Sequence, residues 1–292
     1  MNTIVLTATK PYTFTARQTL HCAGLRFLQQ FRFATTLGPM SINEQAAEYF
    51  ETLFHHRKSR FQTLDPELAE FYVNFAYGDV VSHTKELDDH TRLMVQLAAL
   101  IANGSEGMYK VMLEAALNVG VTTVEIKEIL YQASAYIGMG RVYDFLHITN
   151  NELLRRDYKL PIQGQGTTNT DTRQATGEKI QRATLGDHAL KSLTSEIAAD
   201  APHILEFIEG HLFGDIYSRT GIQRNVRELL ALSMLVALGN CEPQLRAHVT
   251  ANLNVGNSRS MLISTVTQLL PLIGYPRTLN GLQVITSMSR GK

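Results

Sequence analysis

The 292 residues carry 27 Lys+Arg against 27 Asp+Glu, with 44% hydrophobic and 18% charged side chains. That balance excludes a disordered chain, which needs low hydrophobicity and high net charge, and a zero net charge gives no general attraction for nucleic acid. Two cysteines, Cys22 and Cys241, with no CxxC pair argue against a disulfide scaffold or a cysteine zinc site. No apolar run approaches the roughly 18–20 residues of a membrane span. The expectation is a soluble, cytoplasmic globular protein of one large or two ordinary domains, each of two being large enough to bury a core of its own.

The charge is unevenly spread. Residues 1–40 hold no Asp or Glu but contain Lys10, Arg17, Arg26, Arg32 and eight threonines, which leaves the rest of the chain at about −4. An acid-free leader of this kind has the composition of a transit peptide. Its alternatives are an upstream start with Met40 as initiator, or an ordered extension packing through Leu25, Phe27, Leu28, Phe31 and Phe33. It lacks the sustained apolar stretch of a secretory signal.

Beyond the leader the sequence repeats itself. Tyr77-Gly78-Asp79-Val80 returns as Phe213-Gly214-Asp215-Ile216, and the segment ending Asn118-Val119-Gly120 returns as Asn254-Val255-Gly256. Ile137-Gly138 returns as Ile273-Gly274 and Leu146 as Leu282, always 136 residues on. So constant a spacing reads as two homologous domains, 41–157 and 178–292. Residues 158–177 join them, and the run Pro161 to Thr172 reads as a flexible linker.

Both domains read as all-α. Over 123–135, Val124, Ile126, Ile129, Leu130 and Ala133 form one stripe at helical spacing, and Thr122 with Glu125 makes a capping box at its start. Gly120 and Gly256 read as left-handed caps closing the preceding helices. Residues 226–238 are apolar nearly throughout and describe a central buried helix. His55-His56 lie in a basic stretch that reads as a solvated face. His90 falls in a polar turn, and His203 and His211 are too far apart for a good metal pair. No glycine-rich phosphate loop or HExxH appears.

The chemistry-bearing residues cluster in the second repeat. Arg227-Glu228 precede Cys241-Glu242-Pro243-Gln244-Leu245-Arg246-Ala247-His248 by twelve residues. Pro243 suits the first turn of a helix. From there His248 shares an inward face with Leu245 and Asn252. Cys241 sits at the helix mouth, where the dipole favours a thiolate. A carboxylate, a thiol and an imidazole converging there would make an acid–base or thiol site. The same residues also fit a core histidine, a small buried cysteine and a helix ion pair. Spacing alone leaves both readings open.

At Phe213 to Arg219, Arg227-Glu228-Leu229, Leu245 to His248, Ala251 to Gly256 and Gly274-Tyr275-Pro276, the sequence resembles the carboxymuconolactone decarboxylase family, within the alkylhydroperoxidase D-like superfamily. The resemblance spans roughly 46–155 and 178–286. It implies tandem helical domains forming an internal pseudo-dimer, and homo-oligomers such as a trimer of tandem chains. The superfamily's peroxidase branch uses a Glu, a CxxC and a His. Here Glu228, Cys241 and His248 match, but Gln244 stands in place of the second cysteine, so no internal dithiol can form. In the first repeat, Leu93, Ser105, Met108 and Met112 oppose Glu228, Cys241, Gln244 and His248, which reads as a structural copy with a degenerate site. His83 and Gly140 likewise replace Arg219 and Pro276.

The resemblance implies decarboxylation or isomerisation of a small anionic lactone or oxo-acid. Glu228, Cys241 and His248 are the candidate catalytic residues, and Arg227 the group that would hold a substrate carboxylate. The rival expectations are a one-cysteine peroxidase acting through Cys241 and a non-catalytic helical oligomer. No cofactor or metal is implied. The partners are a small anionic molecule or peroxide and further copies of the chain, with neither nucleic acid nor membrane among them.

Overall fold

The computed structural model describes residues 41–55, 60–197 and 200–288. The leader, with Cys22, and His56 lie outside the described residues. The first repeat runs α1 (Glu44–Phe54), α2 (Arg60–Leu64), α3 (Pro66–Val73), a π-helical stretch π1 (Asn74–Asp79), α4 (Val80–Ser82), α5 (Asp89–Asn103), α6 (Glu106–Asn118), α7 (Thr123–Ile137) and α8 (Met139–Arg155). The second runs α9 (Arg173–Glu196), α10 (His203–Phe207), π2 (Ile208–Tyr217), α11 (Arg224–Leu238), α12 (Glu242–Asn254), α13 (Arg259–Ile273) and α14 (Tyr275–Met288). Among the described residues there is no strand. No described helix is long and apolar enough to cross a membrane.

Local chemistry sets these boundaries. Thr122 Oγ1 accepts from the Glu125 amide, and the Glu125 carboxylate accepts from the Thr122 amide at 2.8 Å, completing the expected capping box of α7. Gly120 and Gly256 take φ of 90° and 94° just past α6 and α12, a conformation that costs a side-chain-bearing residue more. Asp88 and Ser258 cap α5 and α13 through their side-chain oxygens.

Two cores were expected, one in each repeat; instead the main core is shared by both repeats, with a smaller cluster of Leu185, Phe213, Tyr217 and Ala251 beside it. Helices α5 and α11 are buried on nearly all sides and pack against each other at the centre. Leu93, Leu97 and Leu100 share one apolar cluster with Leu230, Met234 and Leu262. The pseudo-two-fold relation is visible in the polar contacts as well. Arg92 of α5 reaches Gln268 of α13, and Arg227 of α11 reaches Gln132 of α7. Each repeat thus lends a buried arginine to the other's glutamine.

The 158–177 segment is not a free linker. Thr167 and Thr168 donate to the carbonyls of Ser218 and Gly214 at 2.9 Å, and the Thr220 amide donates to the Gln165 carbonyl. These groups satisfy backbone donors and acceptors at and just after the end of π2, which a polar composition allows as readily as it allows mobility. Helix α9 begins within this segment, at Arg173, and packs its backbone directly on π2. A Cβ at Gly177 would lie 1.8 Å from the Glu209 carbonyl oxygen, and one at Gly214 2.3 Å from that of Arg173. Only glycine allows that approach. At Gly186, φ 76°, α9 kinks.

Candidate active site

Glu228 and His248 meet between α11 and α12. Glu228 is fully buried, and its Oε2 lies 2.7 Å from His248 Nδ1. A carboxylate oxygen accepts, so the shared proton sits on Nδ1, which fixes the tautomer of the ring. Asn252, one turn after His248, donates from Nδ2 to the carbonyls of His248 and Glu228, at 2.8 and 3.0 Å. Asn257 in turn donates to Asn252 Oδ1. These amides lock the two helices in register, so the imidazole has no freedom to turn away.

The other face of the ring meets the first repeat. His248 Nε2 lies 3.2 Å from the hydroxyl of Tyr136, at the C-terminal end of α7. Tyr136 Oη lies 2.6 Å from Tyr217 Oη, on π2. With Nδ1–H donating to Glu228 and Nε2 accepting, one direction of donation runs through the whole chain. Tyr217 donates to Tyr136, Tyr136 to Nε2, and Nδ1–H to Glu228. Burial, and then the Glu228 charge, push both phenols well above their ordinary range, so they remain O–H donors. The second carboxylate oxygen of Glu228 has no well-formed hydrogen bond among the described residues. Tyr217 is close enough to feel its charge.

His248, Tyr136 and Cys241 all line a cavity of about 660 Å³ between α9, π2 and α12. Its walls include Leu185, Leu193, Ile208, Leu212 and Phe213 on one side and Gln244, Arg246 and Thr250 on the other.

Cys241 departs from its expected role. Its thiol donates to the Leu235 carbonyl at 3.3 Å and is hydrogen-bonded to neither Glu228 nor His248. Burial pushes the thiol up, the reverse of the lowering expected from a helix N-terminus. The backbone of Cys241 caps α12, but its side chain makes no capping bond, so the dipole has little hold on the sulfur.

Arg227 also departs. It is fully buried, is not among the residues lining the cavity, and bonds Glu128 of the first repeat through Nη2 at 2.7 Å. Arg219 bonds the same carboxylate through Nε, at 2.8 and 3.0 Å, and lies over the Tyr131 ring. Adjacent residues on a helix point about 100° apart. Glu228 therefore faces α12, while Arg227 faces the other repeat. The expectation that Arg227 holds a substrate carboxylate gives way to a role in docking the repeats. The cation at the cavity is instead Arg246, held at the rim by Glu242 and Ser287.

In the first repeat, Leu93 and Met112 are fully buried core residues at the places of Glu228 and His248. Yet this repeat is more than a scaffold, because it provides Tyr136 to the site. A motif search within one repeat misses it. The signal lay in comparing repeats: Tyr136 stands opposite Leu272 and Glu128 opposite Ser264, whereas Gln132 and Gln268 agree. In a two-fold arrangement, the polar residues that complete one site belong to the other half of the chain.

Residues 66–151 and 202–287 each match the model of the carboxymuconolactone decarboxylase family, together more than half of the chain. A 4-carboxymuconolactone decarboxylase from Acinetobacter baylyi is 38% identical over 73 residues, 25% of this chain and 54% of that protein. The chain thus spans about half the length of this relative. A crystal structure described as a gamma-carboxymuconolactone decarboxylase subunit, from Burkholderia xenovorans, aligns with a TM-score of 0.49 at 18% identity, covering 85% of this chain and 98% of that one.

Proposed function

Because the chain belongs to the carboxymuconolactone decarboxylase family, we propose that its second repeat is an acid–base site that decarboxylates or isomerises an anionic oxo-acid or lactone. The observation that carries this reading is the Glu228–His248–Tyr136–Tyr217 chain, whose two middle members, His248 and Tyr136, line the cavity. In the decarboxylation, the bond between the α-carbon and the carboxylate breaks. CO2 leaves, and the electron pair passes to the neighbouring carbonyl as an enolate. The Tyr136 hydroxyl, held neutral, donates to the oxygen where charge develops, in the manner of an oxyanion hole. For this step Nε2 carries a proton in place of accepting one, which frees the Tyr136 hydroxyl for the substrate oxygen; His248 gives that proton to the α-carbon and regains one from solvent. Glu228 orients the ring and offsets its positive charge. An isomerisation would use the same imidazole to remove a proton and return it one position along.

Cys241 plays no part in this route. With a raised thiol and no second cysteine among the described residues, a peroxidase cycle has little physical support. His248 on the cavity wall is also the opposite of what a non-catalytic oligomer needs. The test is CO2 release from 3-oxo-acids bearing one carboxylate and bearing two, with 4-carboxymuconolactone among the substrates and organic peroxides run alongside, on wild type and His248→Ala. The variant should lose turnover and keep its helical circular dichroism. Equal activity in the two proteins overturns the assignment.

We further propose that the chain assembles as a trimer. Large exposed apolar residues recur at matched places in the repeats: Leu68 with Ile204, Phe71 with Phe207, Met139 with Tyr275, Tyr143 with Leu279. Their duplication 136 residues apart marks a surface that both halves present for burial. Light scattering should give about three times the 32.6 kDa chain mass, and Phe71→Asp with Phe207→Asp should lower it. A wild-type monomer at micromolar concentration refutes this.

A further inference from the structure

The cavity beside His248 has two chemically different walls. Every lining residue from α9 and π2 is apolar: Leu185, Ala189, Leu193, Ile208, Leu212 and Phe213. The polar lining groups are concentrated on α12 and its first turn, from Cys241 and Glu242 to Arg246, His248 and Thr250. At about 660 Å³ the cavity falls within the roughly 300–1,000 Å³ range of sites that enclose drug-sized ligands. That is more room than a small ring bearing two carboxylates requires.

The charge count points the same way. Among the described lining residues, Arg246 is the one permanent cation, and Glu242 already neutralises it in part, at 2.7 Å. A dicarboxylate bound here would place its second anion against hydrocarbon, where an unpaired charge is strongly disfavoured. A monocarboxylate avoids that cost. Its head would lie between Arg246 and the imidazole, with the remainder of the molecule on the α9–π2 wall.

We infer that the ligand of this cavity is an amphipathic monocarboxylate, an oxo-acid carrying an alkyl or aryl tail, with the tail seated on Leu193, Ile208 and Leu212. The inference rests on the acid–base reading of His248 for its polar end. The tail site itself follows from the wall alone. Burial of a methylene contributes about 0.8 kcal/mol, so each added CH2 tightens binding roughly fourfold until the wall is covered.

The experiment is calorimetric titration of the full chain with straight-chain monocarboxylates from butanoate to decanoate, and with octanedioate beside octanoate. Affinity should climb by about the stated factor per carbon, and the dicarboxylate should bind at least tenfold more weakly than octanoate. Leu212→Asp should flatten the dependence on chain length. Because that variant could also disturb α9, Leu212→Ala serves as a milder second change, with circular dichroism on both. His248→Gln should keep the chain-length dependence and lose turnover. Affinity independent of chain length, or octanedioate equal to octanoate, overturns the inference and leaves the acid–base reading standing. Chain-length-dependent binding without CO2 release from any 3-oxo-acid of the preferred length supports the tail site and removes the acid–base reading.

Discussion

Replacing Tyr136 with phenylalanine removes one oxygen from the site and tests whether the first repeat completes it. Two hydrogen bonds disappear, at 2.6 Å to Tyr217 Oη and at 3.2 Å to His248 Nε2. The stability effect comes mainly from Tyr217, whose buried hydroxyl loses its bond to Tyr136 and keeps only the neighbouring Glu228 carboxylate. A polar group left short of a partner in this way costs about 1–3 kcal/mol, and at roughly 2–4 °C per kcal/mol for a body of this size the melting temperature should fall by about 2–12 °C. The kinetic effect should be larger. Removing one preorganised donor from a developing oxyanion typically lowers kcat by about 10²–10³. Tyr217→Phe gives the internal comparison, because it leaves Tyr136 and His248 in contact and removes only the outer donor. Its loss should be roughly two- to tenfold, the worth of one net hydrogen bond of about 0.5–1.5 kcal/mol. The assay is kcat and KM for a substrate whose turnover depends on His248, with thermal melts of both variants. If Tyr136→Phe retains kcat within about twofold, Tyr136 is a packing residue and the proton chain ends at His248.

Two further outcomes follow from buried charge. Glu128→Ala leaves Arg227, which has no solvent exposure, without its carboxylate. Urea unfolding should show a loss of about 3–5 kcal/mol, as for other broken buried pairs, and a loss below 1 kcal/mol would mean that Arg227 finds another partner. Cys241 should alkylate more slowly than free cysteine at pH 7, measured in a Cys22→Ser background. The sign follows from burial: a raised thiol pKa leaves less thiolate at neutral pH, so the rate should grow only as pH rises through that higher value. Fast labelling at pH 7, or sulfenate formation with peroxide, would restore the thiol route.

The sequence by itself determined the helices, the repeat and the residue types of the Glu–His pair. Those are local or periodic properties. The cap at Thr122, the stripe of α7 and the glycines after α6 and α12 act within a few residues, so their spacing expresses the physics directly. The inward face of His248 also follows from its register with Leu245 and Asn252 on one helix. The tertiary structure decided what each polar group meets. Arg227 and Glu228 are neighbours in sequence, yet a helical turn of about 100° sends one to Glu128 and the other to His248. Tyr136 reaches the imidazole across 112 positions of sequence, and no motif of fixed spacing contains that distance. Cys241 looked activated by its place on a helix. Its thiol is instead governed by the burial that surrounding side chains impose. The two repeats looked like separate domains because each carries a full set of helices. They share their main core because α5 and α11 are apolar on nearly every side, and each can bury its second face only against the other.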